Sequence, residues 1–130
     1  MAAPRLSVLI VDDAAIVRTV VRRVLSADAR FDVVGEATNG RDAIDAAATL
    51  CPDLVLLDLA MPLMDGLEAL PHIRAVSPDA RVIVLSAFSP DQMAVAALEA
   101  GALAYLEKSH LATKLIPRIV AAFDGELLDA

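Results

Sequence analysis

Leu54-Val55-Leu56-Leu57 is an uninterrupted apolar run that stops at Asp58 and breaks into Leu59-Ala60-Met61-Pro62-Leu63-Met64-Asp65-Gly66. A strand with one face in water alternates apolar and polar residues. A run without alternation has both faces covered, which is the condition of a parallel sheet held between helices. Asp58 therefore stands where this strand leaves the core. In open α/β sheets ligands collect beyond the carboxyl ends of the strands, so an acid there is a site candidate by position alone.

The rest of the chain supplies partners for that strand. Ser7-Val8-Leu9-Ile10-Val11 is a second β-branched run, closed by Asp12-Asp13. Over 15–25, Ile16, Val17, Val20, Val21, Val24 and Leu25 recur at helical spacing, with Arg18, Arg22 and Arg23 assigned to the opposite face. A strand over 32–37 runs into Thr38-Asn39-Gly40, a turn and capping cluster that opens a helix over 41–50. Pro52-Asp53 ends that helix. After Asp65-Gly66, the residues Leu67, Leu70, Ile73 and Val76 mark a third helix, and Arg81-Val82-Ile83-Val84-Leu85 is a buried strand ending at Ser86. Ser89 with Pro90 reads as a cap with proline at the first helical position, and Gly101 ends the helix that follows. Ala104-Tyr105-Leu106 leads to Glu107-Lys108-Ser109, and Leu115, Ile116, Ile119, Val120 and Phe123 form a last helix. Strand and helix alternate five times, so a doubly wound parallel sheet with helices on both faces is the economical α/β solution. Pro71 and Pro117 fall inside helices, where kinks or late helix starts are expected.

The chain of 130 residues is 58% hydrophobic, enough for one aliphatic core and too short for two domains. The expected organisation is a tail over 1–6, one domain over 7–123, and a tail or the start of a linker over 124–130. No run approaches the roughly 18 apolar residues of a membrane span, the N-terminus lacks a signal-peptide core, and Cys51 is the only cysteine. These point to the cytoplasm and away from a membrane. A net charge of −7 argues against direct nucleic-acid binding by this domain.

In a parallel sheet Asp12-Asp13, Asp58, Ser86 and Lys108 all arrive at one edge. Singly each has an ordinary explanation as a cap, a turn residue or a solvated charge. Jointly, three carboxylates repel unless a cation sits among them, and an oxygen-rich acidic pocket suits Mg²⁺. A hydroxyl and an ammonium beside it suit a phosphoryl group. His72 and His110 have no neighbouring ligand set and read as surface residues.

This constellation resembles the receiver domain of two-component response regulators, from Ser7 to about Phe123, with a tail like the junction at which LuxR-type regulators continue into a DNA-binding domain. The resemblance implies a flavodoxin-like strand order of 2-1-3-4-5. It implies that Asp58 is the phosphoacceptor and that Asp12, Asp13, Asp58 and the Ala60 backbone carbonyl hold Mg²⁺. Ser86, Ala87 and Lys108 would bind the phosphoryl group, Ser86 and Tyr105 would form the switch, and Ala60 and Phe88 would tune hydrolysis. Such a domain is a phosphoacceptor that assists its own Mg²⁺-dependent chemistry rather than an enzyme. Its donor would be a histidine kinase or phosphotransfer protein docking near Ala14, Ala15 and Arg18. A homodimer through the fourth helix, fifth strand and fifth helix is a further expectation. The family commonly has proline after the lysine, with a cis bond; here Ser109 follows Lys108, and trans is the physical default. Rival readings are a nonphosphorylated scaffold, which the intact acid set opposes, and an aspartate-based phosphatase, which needs its acids two apart where Asp12 is followed two later by Ala14. A flavin or dinucleotide module is opposed by Asp12-Asp13, which would repel phosphate where such a module needs a phosphate-binding loop.

Overall fold

A computed structural model describes residues 5–123, so the tail or linker expected over 124–130 lies outside the described residues. The elements alternate as β1 (Leu6–Val11), α1 (Ala15–Ser26), β2 (Phe31–Ala37), α2 (Gly40–Leu50), β3 (Leu54–Asp58), α3 (Gly66–Val76), β4 (Arg81–Ser86), α4 (Pro90–Glu99), β5 (Ala104–Glu107), a 3₁₀ turn (Lys108–His110) and α5 (Leu111–Ala122). All strand pairs are parallel and the order is β2-β1-β3-β4-β5, the doubly wound arrangement expected.

All five residues of central β3 are buried, as the unbroken apolar run requires. Edge strand β2 buries only its two ends, Phe31 and Ala37. Because side chains alternate along a strand, each strand feeds two cores. Leu9, Val11, Val55, Leu57, Val82, Val84 and Tyr105 point toward α2, α3 and α4. Val8, Ile10, Leu54, Leu56, Ile83, Leu85 and Leu106 point toward α1 and α5. Each fully buried aliphatic side chain contributes roughly 1.5–3 kcal/mol of transfer free energy, so the two layers are the main source of stability.

Two local expectations need correction. Of the apolar stripe on α1, only Val21 and Leu25 are fully buried, while Ile16 is 72% exposed and Val20 is at the surface. At about 100° per residue the six apolar positions cover about half the helix circumference, and Ile16 and Val20 lie at the edge that the sheet and α5 do not reach. Neither internal proline marks a late helix start, since α3 and α5 begin at Gly66 and Leu111. Both prolines are exposed, where water can bond the carbonyl four residues back.

Asp65 caps α3 by accepting from Glu68 N at 2.8 Å, and Gly66 opens that helix against the end of β3. A Cβ at Gly66 would lie 2.0 Å from the carbonyl oxygen of Asp58. Helix propensity alone would make Gly66→Ala stabilising by about 1 kcal/mol. The clash with backbone outweighs that, so Gly66→Ala should lower unfolding stability by about 3 kcal/mol, the upper end for overpacking. Urea denaturation checks it; a midpoint at or above wild type would show that the α3 start yields freely.

Candidate functional site

Register brings the charged residues together. Val11 pairs with Leu57, so Asp12 and Asp58 leave adjacent strands side by side, and Ser86 pairs with Glu107, so Lys108 follows just beyond. By strand alternation Asp12, Asp58 and Lys108 continue the rows facing α1 and α5, whereas Ser86 and Tyr105 belong to the rows facing α2, α3 and α4.

Asp12 and Asp58 are buried and Asp13 is exposed, yet one oxygen from each lies within 4.8 Å of the others. The Lys108 ammonium sits 2.7 Å from Asp12 Oδ2 and 3.2 Å from Asp58 Oδ1. Asp12 Oδ1 accepts from Ala14 N at 2.9 Å. Asp12 Oδ2 is buried without a hydrogen bond, because the nearby ammonium gives it charge contact outside hydrogen-bond geometry. Three carboxylates against one ammonium leave two negative charges, and Asp12 Oδ2 has no partner but that ammonium. That donor set fits a hard dication such as Mg²⁺.

Burial is the main cause that pushes the Asp58 carboxyl up to about 6, and the Asp12 charge adds to it; Lys108 and the Ala60 N–H pull it back. Burial works against the Lys108 ammonium, but Asp12 and Asp58 outweigh it and hold its pKa above the ordinary lysine value. No cis peptide occurs among the described residues, so Lys108–Ser109 is trans, as expected for a non-proline. Ser109 Oγ donates to Glu107 Oε2 at 2.9 Å within the turn, and Lys108 reaches both acids from this geometry.

The loop from Leu59 to Asp65 carries Ala60 and is pinned twice. Gly66 N donates to the Leu59 carbonyl and Gly40 N to the Met64 carbonyl, each at 2.8 Å. A Cβ at Gly40 would lie 2.6 Å from that Met64 oxygen, and Leu63 sits at φ 69° in the left-handed region. Ala60 and Phe88 line one cleft of about 360 Å³ with Met61 and Met93.

Ser86 and Tyr105 are linked through one residue. Ser86 Oγ accepts from Phe88 N at 3.1 Å, and the Phe88 carbonyl accepts from the Tyr105 hydroxyl at 2.8 Å. Tyr105 is buried, its ring packed inside rather than at the surface. Ala87 is exposed at the end of β4. His72 and His110 are exposed and stand outside the acid cluster. Arg18, expected at the pocket border, is turned inward onto Glu36 and the Asp12 carbonyl. Glu36 was not singled out in the sequence; its signal is an acid near the end of β2, beside β1 and opposite an arginine one turn into α1.

Without metal, Asp58 should titrate near pH 6. A carboxyl whose folded pKa exceeds its unfolded value of 3.8 adds stability that is complete below about pH 4 and lost as pH rises through about 6. Wild type should therefore lose thermal stability relative to Asp58→Asn between pH 4 and pH 6 in chelator, and Mg²⁺ should restore it above pH 6. Parallel melting curves for the two proteins across this range would refute the shifted carboxyl.

The sequence profile of the response regulator receiver domain matches residues 8–120. The chain is 38% identical to the chemotaxis protein CheY of Thermotoga maritima, over 84% of this chain and 90% of that protein. It is 39% identical to the nitrate/nitrite response regulator protein NarL of Escherichia coli over 94% of this chain, spanning 56% of that relative's length. A crystal structure of a LuxR-family two-component response regulator from Aurantimonas superposes with a TM-score of 0.86 at 33% identity, covering 93% of this chain and 86% of that one. With the fold, the acid edge and the matched residues in agreement, the chain belongs to the response regulator receiver domain family.

Proposed function

We propose that this domain accepts a phosphoryl group on Asp58 from a phosphohistidine of a histidine kinase or phosphotransfer protein, and that the acyl phosphate switches a partner surface. The observation that carries this reading is the Lys108 ammonium, held between the buried Asp12 and Asp58 carboxylates. A nonphosphorylated scaffold has no use for such a group. In the transfer an Asp58 oxygen bonds to phosphorus as the phosphorus–imidazole bond breaks and the imidazole leaves. Lys108 lies close enough to Asp58 to pair with the incoming phosphoryl oxygens, and the Ala87 backbone and Ser86 hydroxyl stand at the neighbouring strand end. Asp12, Asp13, Asp58 and the Ala60 carbonyl would hold Mg²⁺, which supplies positive charge against the repulsion between carboxylate and phosphoryl oxygens. The domain is thus a phosphoacceptor that assists its own chemistry and does not act on other substrates.

The donor surface fits the groove between α1 and α5, where Ile16, Val17, Val20 and Leu111 surround a depression of about 270 Å³ beside Lys108. An apolar helix face docking there brings its histidine to the acid edge. On the output side, a phosphoryl group that draws the Ser86 hydroxyl toward Asp58 takes it from Phe88 N, and Phe88 is what Tyr105 holds. That alters the face of α4, β5 and α5, where Val95 and Leu98 are exposed beside Leu103. A second copy or an output module docks on this face. Transcription regulation fits relatives such as NarL, and with a net charge of −7 this domain would leave DNA contact to other modules. No helix among the described residues is long and apolar enough to cross a membrane, in keeping with a cytoplasmic place of action.

Incubation with a small acyl phosphate donor and Mg²⁺ should add one phosphoryl mass to the wild type and none to Asp58→Asn. Equal mass gain in the variant would refute the assignment of Asp58. Ala60 and Phe88 bring no polar side chain to the cleft they share, so neither can align a water with phosphorus. The phosphorylated state should accordingly decay slowly, and Ala60→Asn with Phe88→Glu should shorten it several-fold. Unchanged decay of the double variant in Mg²⁺ would remove these residues from control of the lifetime.

A further inference from the structure

From α1, Arg18 bonds at two places within the chain, the end of β1 and β2. Its Nη1 donates to the backbone carbonyl of Asp12 at 2.8 Å, and its Nε donates to Glu36 Oε1 at 2.8 Å. The other Glu36 oxygen accepts from Arg22 Nε at 2.9 Å. Only 19% of the Arg18 side chain is exposed. Glu36 itself is fixed by the sheet, in register with Ile10, two residues before Asp12.

The Asp12 carbonyl belongs to the peptide that joins Asp12 to Asp13. The other polar groups of Asp12 are held elsewhere: its N–H by the Ala37 carbonyl at 3.0 Å, and its carboxylate by Ala14 N and the Lys108 ammonium. Rotation of the Asp12–Asp13 peptide plane would swing the Asp13 carboxylate relative to that of Asp12; the Ala14 N bond to Asp12 Oδ1 limits it from the far side of Asp13. Asp13 is exposed, so packing does not restrain it. The bond from Arg18 does.

We infer that Arg18 is a positioning residue for the cation site: braced by Glu36, it fixes the peptide plane between the two acids and so the spacing of their carboxylates. This rests on reading Asp12, Asp13 and Asp58 as that site. Two effects of Arg18 oppose each other. As a positive charge it repels Mg²⁺, so its removal would tighten binding; as a brace it aligns ligands, so its removal would loosen binding. The Glu36 carboxylate, shared with Arg22, offsets part of the charge, and loss of an outer partner of a metal site typically weakens affinity 10–100-fold. The brace therefore dominates. Its two-pronged contact needs a guanidinium, because a single ammonium cannot span the Glu36 carboxylate and the Asp12 carbonyl in the same fork geometry.

The test is an amide NMR titration of the full chain with Mg²⁺, comparing wild type, Arg18→Met, Arg18→Lys and Arg22→Met. Both Arg18 variants should weaken Mg²⁺ binding roughly 10-fold. Arg22→Met removes the same charge from the same glutamate without touching Asp12, and should stay within roughly 2-fold of wild type. Arg18→Lys keeps the charge and the helix propensity, so it reads the brace even where Arg18→Met fails to fold. Wild-type affinity in Arg18→Lys, or an equal loss in Arg22→Met, overturns the inference alone. Wild-type amide shifts that ignore Mg²⁺ overturn the cation site together with it.

Discussion

Two carboxylates set side by side at the ends of neighbouring strands repel one another, and the architecture of this edge follows from how that repulsion is met. Asp12 and Asp58 are both buried, so water cannot screen them, and the Asp58 carboxyl is driven up as a result. The compensating charge comes from Lys108, which follows β5, two strands away from β3. To arrive, its side chain must pass the end of β4. Ser86 ends that strand with a small side chain on the row turned toward the other face. Because that side chain turns away, it leaves the path from Lys108 to the acids open. The place of Lys108 just beyond β5 and the turn of Ser86 to the other face both serve that electrostatic demand.

Much of this was legible in the sequence, for a physical reason. A strand buried on both faces advertises itself as an unbroken apolar run, and a charge that ends such a run has only the sheet edge to go to. β1, β3 and β4, and with them Asp12, Asp58 and Ser86, are of this kind. Lys108 follows a shorter apolar run, Ala104-Tyr105-Leu106, closed by Glu107, and its place at the edge follows from the same logic together with the family pattern. Pro90 after Ser89 marked the start of α4 without ambiguity.

What sequence could not show depends on which neighbour an exposed or half-exposed side chain meets. Ile16 and Val20 satisfy helical periodicity as well as Val21 does, and only the placement of α5 decides that they face outward. Arg18 is polar and was assigned to the solvent face, yet Glu36 on β2 draws it inward across the sheet end. That pairing joins residues 18 apart through a crossover and leaves no local trace. Tyr105 is similar: an aromatic on a short edge strand fits either inside or outside, and the Phe88 carbonyl settles it.

The alternation of β-strand side chains assigns the acid cluster to one face of a sheet and the Ser86–Tyr105 pair to the other. One layer of backbone therefore lies between the acid cluster and α4. If Asp58 accepts the phosphoryl group as proposed, substitutions on the outer face of α4 can alter what docks there while leaving the contacts among Asp12, Asp58 and Lys108 untouched. The same sheet can thus keep one ion-paired edge while the helix on its other face is rewritten.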